Sequence, residues 1–481
     1  MSKLSELQPK AVYQYFEEIS GIPHGSRNTK GISDYCVAFA KTHGLKYIQD
    51  SDNNIIIFKN GTAGYENSKP VIMQGHLDMV CEKTPESTID FTKDGLELIV
   101  EEDYLYADGT SLGADDGIAV AYILAILASD DIPHPPLEAV LTVDEEIGLL
   151  GAASIDLSML KGKKLLNIDS EEEGVLLTSC AGGATVEIAV PIEYSETELL
   201  KYEVLIHGLK GGHSGIKIDK CRANSNILMG RLLHGLSKEI CFSMNGLEGG
   251  FKDNVIPNET KVNLYIQHGA EKQLEMYLQA FESMIRNEYK TSDANIQVDY
   301  KSCGLQKDMV LDGVSQTAAI YLLMNVPNGI QSMCADVPGL VESSLNLGIL
   351  KTTDKFSASF SVRSSVASLK EVIIDKLALL AEFFDGCINR SGDYPEWEYK
   401  KDSDLRDVMV EVYRDQYGED PKIEAVHAGL ECGMISGKIQ GLDCISFGPN
   451  IYDIHTTKER LSISSALRTW EYILEVLKRL K

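Results

Sequence analysis

Over about the first 180 residues, short apolar runs bounded by polar turns alternate with segments of helical spacing. Val12–Ile19 and Ile32–Thr42 place apolar residues three and four apart, as one face of a helix does. Asn54–Phe58, Val71–Met73, Leu137–Val143 and Lys164–Ile168 are short apolar runs that read as strands. Gly117–Ala128 is apolar almost throughout and too short to span a bilayer, so it predicts a helix buried in a core. Strands alternating with helices predict an α/β domain, a mixed central sheet flanked by helices.

The rhythm changes near residue 183. Ala184–Val190 and Leu200–His207 alternate apolar and polar positions, the pattern of antiparallel strands with one wet face. Ile227–Leu236 reads as a helix, Lys261–Gln267 as a strand and Leu274–Ile285 as a helix; Phe356–Val362 and Leu369–Phe384 repeat strand and helix. This is an α+β unit. The α/β texture returns near Gly392–Tyr394, with a helix at Leu405–Tyr417, a strand at Cys444–Phe447 and a last helix opening at Ser462. The expected organisation is a first domain in two pieces, 1–184 and 393–481, interrupted by an inserted α+β lid domain, 185–392.

The length of 481 residues suits two domains. With 45 basic and 72 acidic residues the formal charge is −27, which argues against nucleic acid or an anionic membrane as a partner. The first residues have no signal-peptide core, and no apolar run reaches transmembrane length. Ten scattered cysteines without a C-x-x-C pair suit free thiols in a reducing, cytoplasmic compartment.

Candidate chemistry gathers where apolar runs end. Gln74-Gly75-His76-Leu77-Asp78 follows Val71–Met73 and puts a His and an Asp two apart, on one face of an extended segment. The imidazole can ligate a metal while Asp78 holds its other nitrogen; the same pair also suits an ordinary polar turn. Asp115 and Asp116 precede the buried helix. Capping explains Asp116, whereas Asp115 reads as a metal-bridging carboxylate. Val143-Asp144-Glu145-Glu146 runs a strand into three acids, as a solvated loop would. It also stands where open α/β sheets place ligand sites, with Glu146 suited to a metal and Glu145 to the general base on a metal-bound water. Asp169 ends the next strand, and His455 lies in the loop after Cys444–Phe447. The set His76, Asp115, Glu146, Asp169 and His455 suits two divalent ions sharing one carboxylate. Nitrogen and oxygen ligands without thiolate favour Zn²⁺ and tolerate Mn²⁺ or Co²⁺. Two such ions generate hydroxide near neutral pH and polarise a carbonyl.

This set, in this order, resembles the co-catalytic di-zinc metallopeptidases, the family of carboxypeptidase G, peptidase T and succinyl-diaminopimelate desuccinylase. Within it the chain looks like the aminoacyl-histidine dipeptidase branch. The resemblance rests on Gln74–Lys83, Thr110–Ala119, Thr142–Gly151, Leu166–Glu173, Leu209–Gly215 and His427–Gly433. It implies a dipeptidase acting on short substrates such as β-alanyl-histidine, or else an amidohydrolase of N-acyl amino acids or a tripeptidase. By the same resemblance His76 and Asp169 bind one zinc, Glu146 and His455 the other, and Asp115 bridges them with a cis peptide after it. Asp78 orients His76, and Glu145 is the general base. His213, in a stretch that otherwise reads as a Gly-rich turn, stabilises the oxyanion. Asn254, Arg363 and the Gly429 amide bind substrate; on a strand alone, Arg363 would read as a solvated side chain. Relatives also suggest a homodimer through the lid domain. One departure stands out: Asp116 follows the bridging Asp where the branch commonly has Asn.

Overall fold

The computed structural model describes residues 4–481 and divides into two compact units. The first comprises the chain up to Cys180 together with Tyr399–Ala425 and Leu430–Lys481; the second comprises Ala181–Glu398 and Val426–Gly429. The fold is the expected mixed α/β one.

The first unit is built on an eight-stranded sheet. Its order is Lys46–Gln49, Ile55–Lys59, Leu137–Thr142, Val71–His76, Lys164–Asn167, Asp443–Ser446, Val175–Cys180 and Lys422–Val426. The middle is parallel: Val71–His76 runs alongside both Leu137–Thr142 and Lys164–Asn167, and Asp443–Ser446 alongside Lys164–Asn167. Every residue of Val71–His76 and Leu137–Thr142 is buried, which explains why both are mostly apolar. The helix Ala114–Ala128 is buried over Ala114–Leu127 and belongs to the same core as Val12, Phe16 and Tyr472. The carboxyl ends of three adjacent parallel strands therefore point the same way, toward His76, the loop after Thr142 and the turn after Asn167.

The second unit has a nine-stranded antiparallel sheet. Its long strands include Gly182–Pro191, Tyr194–His207, Gln297–Leu311, Val341–Thr352 and Lys355–Ser364. Helices Ser225–Leu236, Glu271–Glu288, Gly313–Asn325 and Ala367–Glu382 contribute to its core with the inward positions of these strands. Among the described residues no helix is long and apolar enough to cross a membrane.

Candidate active site

His76 is the last residue of its strand. The position before it must be glycine, because a Cβ on Gly75 would stand 2.6 Å from Asp116 Oδ2 and 2.9 Å from the Ala119 methyl. That close approach lets Asp116 accept the His76 backbone N–H at 3.1 Å. The imidazole Nδ1 lies 2.9 Å from the Asp78 carbonyl oxygen and 3.6 Å from Asp78 Oδ1. The backbone carbonyl of Asp78 is thus the nearer partner and puts the ring proton on Nδ1, leaving the Nε2 lone pair free. Nε2 faces Asp115 Oδ1 at 3.2 Å and Asp169 Oδ1 at 3.6 Å.

Asp115 sits at the start of the buried helix with non-helical backbone angles, and the Asp115–Asp116 peptide bond is cis. One of its oxygens meets His76; the other, Oδ2, lies 3.1 Å from His455 Nε2. His455 Nε2 also lies 3.0 Å from Glu146 Oε2, and the second Glu146 oxygen is buried without a hydrogen-bond partner. The five candidate ligands, which come from five separate stretches of chain, therefore meet in the first unit.

The donor set fits metal. Ligands ~2.0–2.1 Å from a tetrahedral ion stand ~3.3–3.4 Å from one another. The four imidazole–carboxylate separations, 3.0 to 3.6 Å, bracket that edge. Electrostatics points the same way. Burial and the neighbouring Asp115 and Glu146 push Asp169 up to about 6 against the pull of His76. Burial and surrounding acids raise Glu145 well above the usual carboxylate range, although His76 opposes the shift. Contacts with Asp115 and Glu146 raise His455 to about 10. So many acids converging on two imidazoles form a site whose charge a dication balances.

The carboxylate of Asp78 holds a different partner. Oδ1 accepts the Glu145 N–H at 3.0 Å; Oδ2 accepts Ser26 Oγ at 2.8 Å and the Glu146 N–H at 3.4 Å. It therefore fixes the backbone of the two acids after the strand Leu137–Thr142. The turn around them is tight, with positive φ at Asp144 before them and at Gly148 and Leu149 after them.

Three further acids near this cluster, Glu431, Glu171 and Glu459, carried no role in the sequence reading. Glu431 is fully buried; its Oε2 accepts from Gln74 and from Thr142 Oγ1 at 2.8 Å, while Oε1 has no partner. Burial pushes it up to about 7. Glu171 keeps an exposed surface, yet desolvation by the surrounding protein raises it as well, with Asp115 and Asp169 adding to the shift. Glu459 caps the helix that bears Asp115. Glu431 lies within a family-like stretch, but no local pattern marks Glu459.

A second cluster lies in the second unit. The strand Gly212–His213 pairs with Val255–Ile256, and Ser214 N–H donates to the Asn254 carbonyl at 2.9 Å, so His213 and Asn254 come together. His213 Nδ1 accepts the N–H groups of Gly215 and Ile216 at 3.1 and 3.2 Å. The ring proton is therefore on Nε2. Burial and then the Arg363 charge lower its pKa, so the ring is a neutral donor. Arg363 is not solvated: it is 7% exposed, donates to the Tyr394 hydroxyl at 2.7 Å and leaves Nε unpartnered. His427, which also carried no role in the sequence reading, has Nε2 2.7 Å from Ser344 Oγ; burial and then Arg363 push it down to about 3. Gly429 follows on the same short segment, which the Ala181 N–H anchors through the carbonyls of Val426 and Ala428.

The chain matches the model of peptidase family M20/M25/M40 over residues 72–479. It is 33% identical over 483 aligned residues to the cytosol non-specific dipeptidase of Escherichia coli, covering 100% of this chain and 99% of that protein. Among solved structures it resembles the aminoacylhistidine dipeptidase of Vibrio alginolyticus, with TM-score 0.95, 33% identity and coverage of 99% and 98% of the two chains. The aminopeptidase PepT of Bacillus cereus shares the fold at TM-score 0.55 and 15% identity, covering 98% of this chain and 99% of its own.

Proposed function

The chain belongs to peptidase family M20/M25/M40 and hydrolyses peptide bonds, and from that premise we propose that it is a two-metal dipeptidase with a preference for Xaa-His substrates. The observation that carries the two-metal reading is Asp115, whose two carboxylate oxygens each face a different imidazole, as a bridging ligand requires. His76 and Asp169 would hold one ion, Glu146 and His455 the other. Zinc suits this donor set, with cobalt and manganese as alternatives. Ions bound there would lower the pKa of a water and polarise the scissile carbonyl.

The chain's own residues do the rest. Glu145, raised in pKa by burial, takes the proton of the attacking water and then passes it to the leaving amine. Asp78 keeps Glu145 in place through the backbone. His213 donates Nε2–H to the developing oxyanion without adding a charge that must later be discharged. Arg363, a planar fork with an unpartnered Nε, receives the substrate's terminal carboxylate, with Asn254 and the Gly429 amide beside it in this role. The ten free cysteines, together with the cytosolic relative, support a cytoplasmic setting.

The experiment is metal analysis of the purified protein with hydrolysis of a dipeptide panel that includes β-alanyl-histidine. Two equivalents of divalent metal and cleavage of dipeptides, but not of acetylated amino acids, are expected. Cleavage of acetylated amino acids alone removes the dipeptidase reading, and full activity in metal-loaded Glu145→Ala removes Glu145 as base.

A further inference from the structure

The helix Ala114–Ala128 opens without a cap of its own. The residue at its N-cap is Gly113, which has no side chain to accept the first N–H groups. Those groups are satisfied from the other end of the sequence. Glu459 Oε2 accepts the N–H groups of Leu112 at 3.0 Å and Gly113 at 3.2 Å. Its Oε1 accepts those of Ala114 at 2.8 Å and Asp115 at 3.4 Å. The carboxylate is 3% exposed, so water does not compete for it.

The origin of this carboxylate is informative. A helix start needs only a nearby Ser, Asp or Asn, and the chain uses such local caps at Asn224, Asp312, Ser403 and Ser462. Here the cap comes from the segment that carries His455. That segment is closed on itself: Glu459 N–H donates to the Thr456 carbonyl, Thr456 Oγ1 to the Asp453 carbonyl, and Arg460 pairs with Asp453. Glu459 and His455 therefore move as one piece. The piece grips Asp115 twice, by its backbone N–H through Glu459 and by its carboxylate through His455.

We infer that Glu459 is a positioning residue that sets the bridging carboxylate of Asp115 between His76 and His455, tying the helix that bears Asp115 to the loop that bears His455. The inference rests on the two-metal reading above. Glu459 needs no contact with substrate or metal. It acts by placing the Asp115 backbone, and outer carboxylates of this kind tune affinity by roughly 10–100-fold.

The test uses full-length wild type, Glu459→Ala, Glu459→Gln and Asp103→Asn. Asp103 holds the start of another helix in the same unit, through the Ser464 N–H at 2.9 Å and the Ser462 hydroxyl. Zinc affinity is read by competition with a chromophoric chelator, beside melting temperature, kcat and KM. Glu459→Ala is expected to weaken zinc binding by roughly 10–100-fold and to lower kcat, with KM within about twofold. Glu459→Gln, which keeps one acceptor oxygen, falls between. Asp103→Asn lowers the melting temperature but leaves zinc affinity unchanged. Wild-type zinc affinity in Glu459→Ala overturns the inference, as does an equal loss in Asp103→Asn. If Glu459→Ala does not fold, Glu459→Gln decides: wild-type affinity and kcat overturn the inference, and weakened zinc binding supports it. A wild type that binds no divalent ion overturns the two-metal reading itself; a wild type that binds two, beside unaltered variants, overturns only the role of Glu459.

Discussion

Replacing Asp78 separates two jobs that its position beside His76 combines. The imidazole is held by the Asp78 backbone carbonyl, which a substitution leaves in place. The carboxylate, 1% exposed, holds Ser26 Oγ and the N–H groups of Glu145 and Glu146. In Asp78→Ala those two N–H groups lose their acceptor, at a cost of about 1–3 kcal/mol each. Relief of repulsion among the crowded acids offsets part of this, leaving a net loss of about 2–4 kcal/mol. For a unit of this size that is roughly 4–16 °C in melting temperature. The catalytic cost is geometric. Glu145 and Glu146 drift together, and a displacement of ~1 Å costs on the order of 100-fold in turnover. Asp78→Asn keeps one acceptor oxygen and falls between, while Ser26→Ala loses one hydrogen bond, about 1 kcal/mol, with activity unchanged. The assay is thermal melting with zinc content and steady-state hydrolysis of a dipeptide. Because the carbonyl still holds His76, zinc content in Asp78→Ala should fall less than in His76→Ala. Wild-type kcat and melting temperature in Asp78→Ala would refute the clamp. Zinc loss equal to that of His76→Ala would show that the carboxylate, not the carbonyl, holds the ring.

His427 gives a pH signature. Its folded pKa of about 3 lies below the ordinary 6.5, so between these values the unfolded chain takes up a proton that the folded one refuses. Its contribution is complete above pH 6.5 and is lost as the pH falls toward 3. Moving from pH 7.5 to 5 should cost wild type about 2 kcal/mol more than His427→Gln, read from denaturant midpoints; parallel pH slopes would contradict this. Arg363→Lys loses the planar fork and the bond to Tyr394. KM for a free dipeptide should rise on the order of tenfold with kcat little changed, and a selective fall in kcat would remove Arg363 from carboxylate binding. Gly75→Ala drives a methyl into Asp116 and Ala119, so it should lose about 1–3 kcal/mol of stability together with bound zinc. Normal metal content in that variant would show that the strand and helix can separate without disturbing the centre. Chelation should abolish hydrolysis, and zinc, cobalt or manganese should restore it; activity that survives complete stripping would end the metal reading.

Much of the first unit is legible in sequence because its centre is simple. Strands covered on both faces read as near-continuous apolar runs, so Val71–Met73 and Leu137–Val143 announce themselves, and an acid or His just past such a run stands at a sheet end. The second unit hides more. Gln297–Leu311 is a long strand, but most of its side chains are exposed, and it is held along its length by backbone pairing to Tyr194–His207. No apolar alternation marks such a strand. Gly313–Asn325 lacks the charged face that reveals an amphipathic helix, because exposed Val314 and Tyr321 continue its apolar character outside the core. Arg363 misleads in the other direction: its strand alternates, yet its guanidinium is buried.

The acids show where local reading stops. The chain carries 72 acidic against 45 basic residues, an excess that by itself reads as solubility. Part of that excess has a specific use. The His76 N–H is taken by Asp116, the Glu146 N–H by Asp78 and the Asp115 N–H by Glu459. Three candidate ligands thus have their own backbone amide held by a buried carboxylate that is not itself assigned to metal. Two of these clamps lie within two residues of a ligand in sequence, where Asp116 reads as a helix cap and Asp78 as a partner of the imidazole ring; the helix is in fact capped by Glu459, and Asp116 holds the His76 amide. The third lies 344 residues from the amide it holds, and only the fold connects them. A neutral acceptor would satisfy the same amides. A carboxylate satisfies them more strongly and adds negative charge around the imidazoles, an arrangement that disfavours the bare site and favours a dication within it. Asp116 fits this reading as well as Asn would for geometry, since either oxygen can accept from His76, and burial together with the Asp169 charge raises its pKa well above the usual carboxylate range.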